Sequence, residues 1–221
     1  MSLRIVLSKT KITILGLVII LVVGMALSTK VVSLKDAAGY RTGTSSLQAN
    51  TEVSHSFADK TFLPVVVPYI MSHAVDVLTL DKAIQKDLNA AGAKYGHQDG
   101  PSNAYAVPVK FTGTAETFVN DFMPVTVPGL TNGVTIYVQM GPALNGTTLR
   151  DVTGTVTFQQ FVNQLAYQDA ATKLNDKVRE LVLSKIDKNS LKGKTVTITG
   201  AFSVVNPQNY IIMPIKIEVG K

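Results

Sequence analysis

Residues 107–118 read VPVKFTGTAETF, and the reading of this stretch decides the fold. Its β-branched and aromatic residues mark a strand. Gly113 stands inside it, where a strongly bent strand needs a residue without a side chain. Two more strands follow, MPVTVP at 123–128 and VTIYVQMG at 134–141, with Asn132-Gly133 between them as a hairpin turn signal. Thr157 to Ile186 then has helical spacing: Thr157 and Gln160 form a capping-box pair, and Phe158, Phe161, Val162 and Leu165 make one stripe. The stripe slips at Tyr167-Gln168-Asp169, which predicts a kink or two consecutive helices. It resumes through Ala170, Leu174, Val178, Leu181 and Val182. LKGKTVTITGAFSVV (191–205) and YIIMPIKIEV (210–219) are the last two strands, separated by Asn206 to Asn209. The order β-β-β-α-β-β, with a long helix between strands three and four, is that of an OB-like five-stranded barrel in an α+β protein. Order alone does not prove the barrel, and a ferredoxin-like or other α+β sheet is the alternative.

Upstream, residues 63–92 carry helical periodicity, predicting helices over Pro68–Val77 and Leu80–Ala91, with Thr79 as a cap and Gly92 as a stop. Residues 31–62 are polar and rich in Ser, Thr and Gly, and read as a stalk. Residues 12–27, ITILGLVIILVVGMAL, are sixteen positions without a charge. As a helix they span roughly 24 Å, somewhat short of the ~30 Å hydrocarbon core. Lys11 and Lys30 can snorkel from the ends. The anchor residues are Ile12, Leu15, Leu17, Val18, Ile19, Ile20, Leu21, Val22, Val23 and Leu27. Arg4, Lys9 and Lys11 precede them, which keeps the amino terminus in the cytoplasm and the rest of the chain outside. Cleavage after a small-x-small site at Gly24-Met25-Ala26 is the competing reading, a signal peptide instead of a retained single-pass anchor. The layout is therefore an anchor at 1–30, a stalk at 31–62, a helical subdomain at 63–106 and an OB-like domain at 107–221.

The net charge of +6 among 221 residues belongs largely to this anchor. Residues 1–30 hold four basic and no acidic side chains, leaving 17 basic against 15 acidic residues elsewhere. No clustered cation marks a nucleic-acid partner. With no cysteine, disulfides, thiolate nucleophiles and Cys-based metal sites are excluded.

The remaining motifs give no enzyme signature. Gly141 to Thr148 (GPALNGTT) has the outline of a phosphate-binding loop, but Thr147 occupies the place of the lysine that must meet the phosphates. His55, His73 and His97 lack metal-ligand spacing, and no G-x-S-x-G elbow or paired carboxylate is present. No cofactor is expected. Arg150 and Asp151, adjacent in the connection to the long helix, can orient a ligand or tie the loop to a helix end. Asn163, Gln164 and Asn175 can line a cleft or cap and solvate the helix.

GPALNGTTLRDVTGTVTFQQFVNQLAYQDAATKLNDKVRE (141–180) resembles a bacterial family of predicted periplasmic lipoproteins, a domain of unknown function. The pattern is carried by Gly141, Pro142, Gly146, Thr147, Leu149, Arg150 and Asp151. It continues through Phe158, Phe161, Asn163, Gln164, Leu174 and Asn175. Residues 74–96 and the two last strands are similar to the same family, so the likeness spans most of 30–220. Family members usually carry a lipidated cysteine after the apolar run; here Leu27-Ser28-Thr29-Lys30 has none, which makes a retained helix the expected substitute anchor. The resemblance implies an accessory role beside sugar ABC-type transporters. The expectation is thus a non-catalytic, membrane-anchored extracytoplasmic module whose partner is a transporter or other envelope protein, its ligand unidentified. A sugar-binding protein and a hydrolase without a signature are the alternatives. An OB barrel binds through a strand face and its loops, here parts of 119–133 and 141–156.

Overall fold

The computed structural model describes residues 54, 56–99 and 104–220. They fall in one compact unit, Gln48–Lys221. The apolar run with its ten anchor residues, and the stalk up to residue 53, lie outside the described residues.

The strands are β1 Val75–Asp76, β2 Tyr105–Ala115, β3 Phe122–Thr126, β4 Thr135–Gln139, β5 Thr195–Val204 and β6 Asn209–Val219. β2 pairs antiparallel with β5 from Tyr105↔Val204 to Thr114↔Thr195. Its far end also pairs with β3 at Thr114↔Thr126. β3 pairs antiparallel with β4, β4 runs parallel to β6 (Ile136↔Tyr210), and β6 returns antiparallel to β5. The circuit β2-β3-β4-β6-β5-β2 closes a five-stranded barrel in OB order. The predicted strands are all present, each trimmed or shifted by a few residues.

Closure depends on two glycines. A Cβ on Gly113 would stand 2.5 Å from the Thr126 carbonyl oxygen, so only glycine lets β2 approach β3 while still paired with β5. At Gly200 a Cβ would lie 2.3 Å from the Met213 oxygen. The register of β5 against β6 shifts at Thr199/Gly200, a bulge that curves both strands.

Residues 56–61 are helical and run through a π turn, Phe62–Val66, into α1 Val67–His73. The helix therefore starts within the span read as stalk. Ala58, Phe62, Val66 and Ile70 are all buried, four residues apart. The wider i→i+5 winding of the π turn keeps that spacing on one side. α1 ends at His73 and not at Val77, because Ala74 turns extended and Val75–Asp76 pairs with Val109–Lys110. Asp76, not Thr79, caps α2 Val77–Lys86, accepting from the amides of Leu78 (3.0 Å) and Thr79 (3.2 Å). Asp87 breaks the helix expected to run on to Ala91 and caps α3 Leu88–Tyr95 through Ala90 N. Gly92 is consequently internal, and its bare face admits the Tyr105 ring. These helices share one core with the barrel, Leu80 and Ile84 packing with Val107, Ile198 and Tyr210.

Beyond β4 come the short α4 Thr148–Asp151, a 3₁₀ turn Phe158–Gln160 and α5 Gln164–Leu181. The interruption falls at residues 161–163, not at Tyr167 to Asp169, since α5 is continuous through Tyr167. Of the capping pair, Gln160 Oε1 accepts from Thr157 N (3.2 Å).

Asp81 is buried beneath the barrel. Its carboxylate accepts from Tyr210 OH (2.7 Å), Thr131 N (2.9 Å), Thr131 Oγ1 (2.7 Å) and Gln85 Nε2 (3.3 Å). Burial, the largest influence, works to raise its pKa, yet these four bonds together hold it below the usual carboxylate range. Such a group adds stability above its unfolded pKa of about 4 and loses it as pH falls through the lower folded value. Urea melts should show the wild type more stable than Asp81→Asn at pH 7, and converging on it as the medium is acidified below about pH 4. Tyr210→Phe should cost about 1–3 kcal/mol at pH 7.

Candidate functional site

A cleft of about 660 Å³ opens on the outer side of the β3–β4 face. In an OB barrel the ligand-bearing surface is the face of the second and third strands, with the loop after the first strand and the loop between the last two. Here those are β3, β4, residues 116–121 and residues 205–208. β3 and β4 contribute Phe122, Tyr137 and Gln139, and the first loop adds Val119. The opposite wall is Ser203, Val205 and Asn206 with Asn209 and Ile211, while Asn145, Gly146 and Thr148 close one end. None of these lining residues is Lys, Arg, His, Asp or Glu.

Alternation explains the placement. Buried Met123, Ile136, Val138, Tyr210 and Ile212 point inward, so Phe122, Tyr137 and Ile211 point out. The Phe122 and Tyr137 rings meet edge to face, 6.2 Å apart. Thr148 Oγ1 and Ser203 Oγ lie 2.8 Å apart, so one hydroxyl hydrogen of the pair remains available. Asn206 Oδ1 accepts from Gln208 N (2.8 Å), which pins the turn and leaves its amide hydrogens to the cleft.

The end wall is a loop whose carbonyls are held by side chains from elsewhere. Gln139 exchanges two bonds with the Asn145 backbone, 2.8 Å and 3.0 Å. Asn175 Nδ2 donates to Gly146 O (3.0 Å), and Arg179 Nη1 to Pro142 O (2.8 Å). Lys188 Nζ donates to Gly141 O (3.0 Å) and to Met140 O. Gly141 (φ +60°) and Gly146 (φ +102°) supply the left-handed turns this path requires.

None of the five residues singled out from the sequence lines the cleft. Arg150 and Asp151 are buried, joined Nε to Oδ1 at 2.7 Å. The guanidinium lies 3.6 Å over the Tyr167 ring and donates from Nη1 to Tyr167 O (3.2 Å). Asp151 Oδ2 accepts from Thr147 Oγ1 (2.6 Å). Phe158 and Phe161 flank the same Tyr167 ring. Burial and the Asp99 carboxylate, which accepts from the phenol, push the Tyr167 pKa far up against the opposing pull of Arg150. Asn163 caps α5, accepting from Ala166 N (2.8 Å), with exposed Gln164 beside it. Asn175 alone touches the cleft's frame, from behind Gly146. The residues missed had a signal: Tyr210-Ile211-Ile212 puts an apolar side chain on the solvent side of a strand. Among the described residues no group of three or more His, Asp or Glu could hold a metal.

A closed barrel in this strand order, helix between its third and fourth strands and cleft over its second and third, defines an OB-fold protein of the α+β class. A solved OB-fold protein from Thermotoga maritima is similar in structure, with a TM-score of 0.57 over 77% of this chain and 98% of that one. The two are 18% identical, a likeness of fold alone. No curated protein matches the sequence. The chain belongs to the DUF2291 family of predicted periplasmic lipoproteins, whose pattern matches residues 17–218. Membership implies an extracytoplasmic, membrane-attached protein. The chain itself has no cysteine to carry a lipid.

Arg150→Ala should leave Asp151 buried without its cation and cost about 3–5 kcal/mol in a urea melt. Arg150→Lys should recover only part of that, because lysine cannot both stack on Tyr167 and reach Asp151 sideways.

Proposed function

We propose that the chain is a non-catalytic extracytoplasmic module, held at the membrane, that binds an uncharged hydroxylated molecule of the saccharide class in the β3–β4 cleft. The observation that carries this reading is the lining itself: an aromatic pair, aliphatic walls, and amides and hydroxyls without one formal charge. A nucleic acid or phosphorylated ligand needs cations that are missing here. A sugar presents apolar C–H faces to Phe122 and Tyr137, and hydroxyls to Asn145, Asn206, Asn209 and the Thr148–Ser203 pair. That hydroxyl pair has no acid or base in the lining to activate it, which supports binding over hydrolysis.

Exposed apolar residues on the rim, Val119 and Val205, favour a second role for the same face. There the module docks on a transporter or other envelope protein as an accessory subunit. Photocrosslinkers at these two positions in native membranes should capture one defined membrane protein; capture of none removes this role.

The full-length protein in detergent, titrated with neutral mono- and disaccharides, should melt at higher temperature at millimolar ligand. Tyr137→Ala should weaken binding about tenfold, equivalent to about 1.4 kcal/mol. A flat response to every neutral sugar overturns the saccharide reading.

A further inference from the structure

A second apolar surface lies on the segment between the 3₁₀ turn and the start of α5. Phe158 is 43% exposed, Val162 80% and Leu165 50%, three large apolar side chains within eight residues. Phe161 lies between them, half-buried against Phe57 and Tyr167. The structural work of the segment is done by the contacts of Phe161 and Phe158 with Tyr167 and by the Asn163 cap, none of which uses Val162 or Leu165. From Val152 to Gln168 the chain has no charged residue at all, only Thr, Gln, Asn, Gly and apolar side chains.

The same segment is where the described chain begins. Ser54 Oγ donates to Ala166 O (3.5 Å), and the Phe57 ring meets Phe161 edge-on with centroids 5.2 Å apart. Asp59 is bound to Lys177 on α5 (2.6 Å). Ser54 and Phe57, among the first described residues, therefore lie against the same segment as Phe158, Val162 and Leu165.

We propose that the Phe158–Leu165 segment is a membrane-contact surface, resting in the headgroup region of the bilayer that anchors the chain. This rests on the membrane attachment in the reading above, not on the identity of the cleft ligand. The binding energy of a protein interface is concentrated in Trp, Tyr and Arg; the segment offers Phe, Val and Leu among neutral amides. That composition suits the interfacial zone, where apolar side chains enter and uncharged polar groups stay hydrated. Three such side chains bind a bilayer only weakly by themselves. A tether makes the encounter intramolecular, so weak contact suffices.

The absence of cysteine permits single-site labelling. Full-length Val162→Cys, Leu165→Cys and, as a control in the β3–β4 loop, Asn132→Cys carry an environment-sensitive fluorophore. Each is reconstituted into phosphatidylcholine vesicles with a minority of phosphatidylglycerol. At 162 and 165 the emission should shift to the blue, and headgroup-nitroxide lipid should quench it at least about twofold more than at 132. If the protein floats with the vesicles while labels at 162 and 165 behave like the control, the contact surface is overturned and the anchor survives. If the protein does not float with the vesicles, the anchor and the contact surface both fail.

Discussion

One strand has to satisfy two neighbours. β2 pairs with β5 along ten successive partners and, before it ends, must also come against β3. A straight strand cannot close a circuit of five, so β2 bends where its backbone meets the Thr126 carbonyl with no room for a side chain. Everything that forms the cleft lies downstream of that bend. β3 and β4 are carried round until β4 lies parallel to β6, and only then do Phe122, Tyr137 and Ile211 share a surface. The last two strands contribute both the inner core, through the Phe202 and Tyr210 rings packed at a tilt, and one wall of the cleft.

The most distinctive run of the sequence, 141–175, has a structural explanation almost residue by residue. Gly141 and Gly146 make turns that other residues resist, and Leu149 and Leu174 fill the core. Arg150 and Asp151 clamp α4 onto Tyr167, two phenylalanines pack against that ring, and Asn163 starts α5. Asn175 fastens the loop at Gly146. A buried Arg–Asp pair under an aromatic ring contributes more to a unique arrangement than to net stability, because desolvation offsets most of its attraction. The pattern thus maintains the frame of the cleft while its charged residues stand outside the lining.

Strand existence and order along the chain were legible because alternation and turn residues are local signals; closure into an OB barrel instead of another α+β sheet depends on pairings those signals do not carry. The helix boundaries were less so. Asp76 looked like an interior residue of a helical run, yet a two-residue pairing with β2 turned it into a cap. Asp87 likewise restarted a helix that periodicity alone continued. The first outcome depends on a partner far away in the chain, the second on a local cap that periodicity does not register. The candidate residues show the same limit: Arg150 and Asp151 stand out because charges are rare in that region, but rarity does not distinguish a ligand contact from a buried clamp. The lining residues are ordinary apolar, aromatic, amide and hydroxyl side chains, which only the curvature of the barrel gathers together.

The pinned loop at the end of the cleft separates two demands that proteins often have to reconcile. Its course is set by Gln139, Asn175, Arg179 and Lys188, and of these only Gln139 reaches the lining, its amide already occupied by Asn145. Other side chains that a bound molecule would meet, such as Asn209 and Val205, are exposed surface positions outside the buried core. Selectivity can therefore drift by point changes around the rim while the scaffold remains indifferent. One architecture of this kind can serve different small molecules in different cells without being rebuilt.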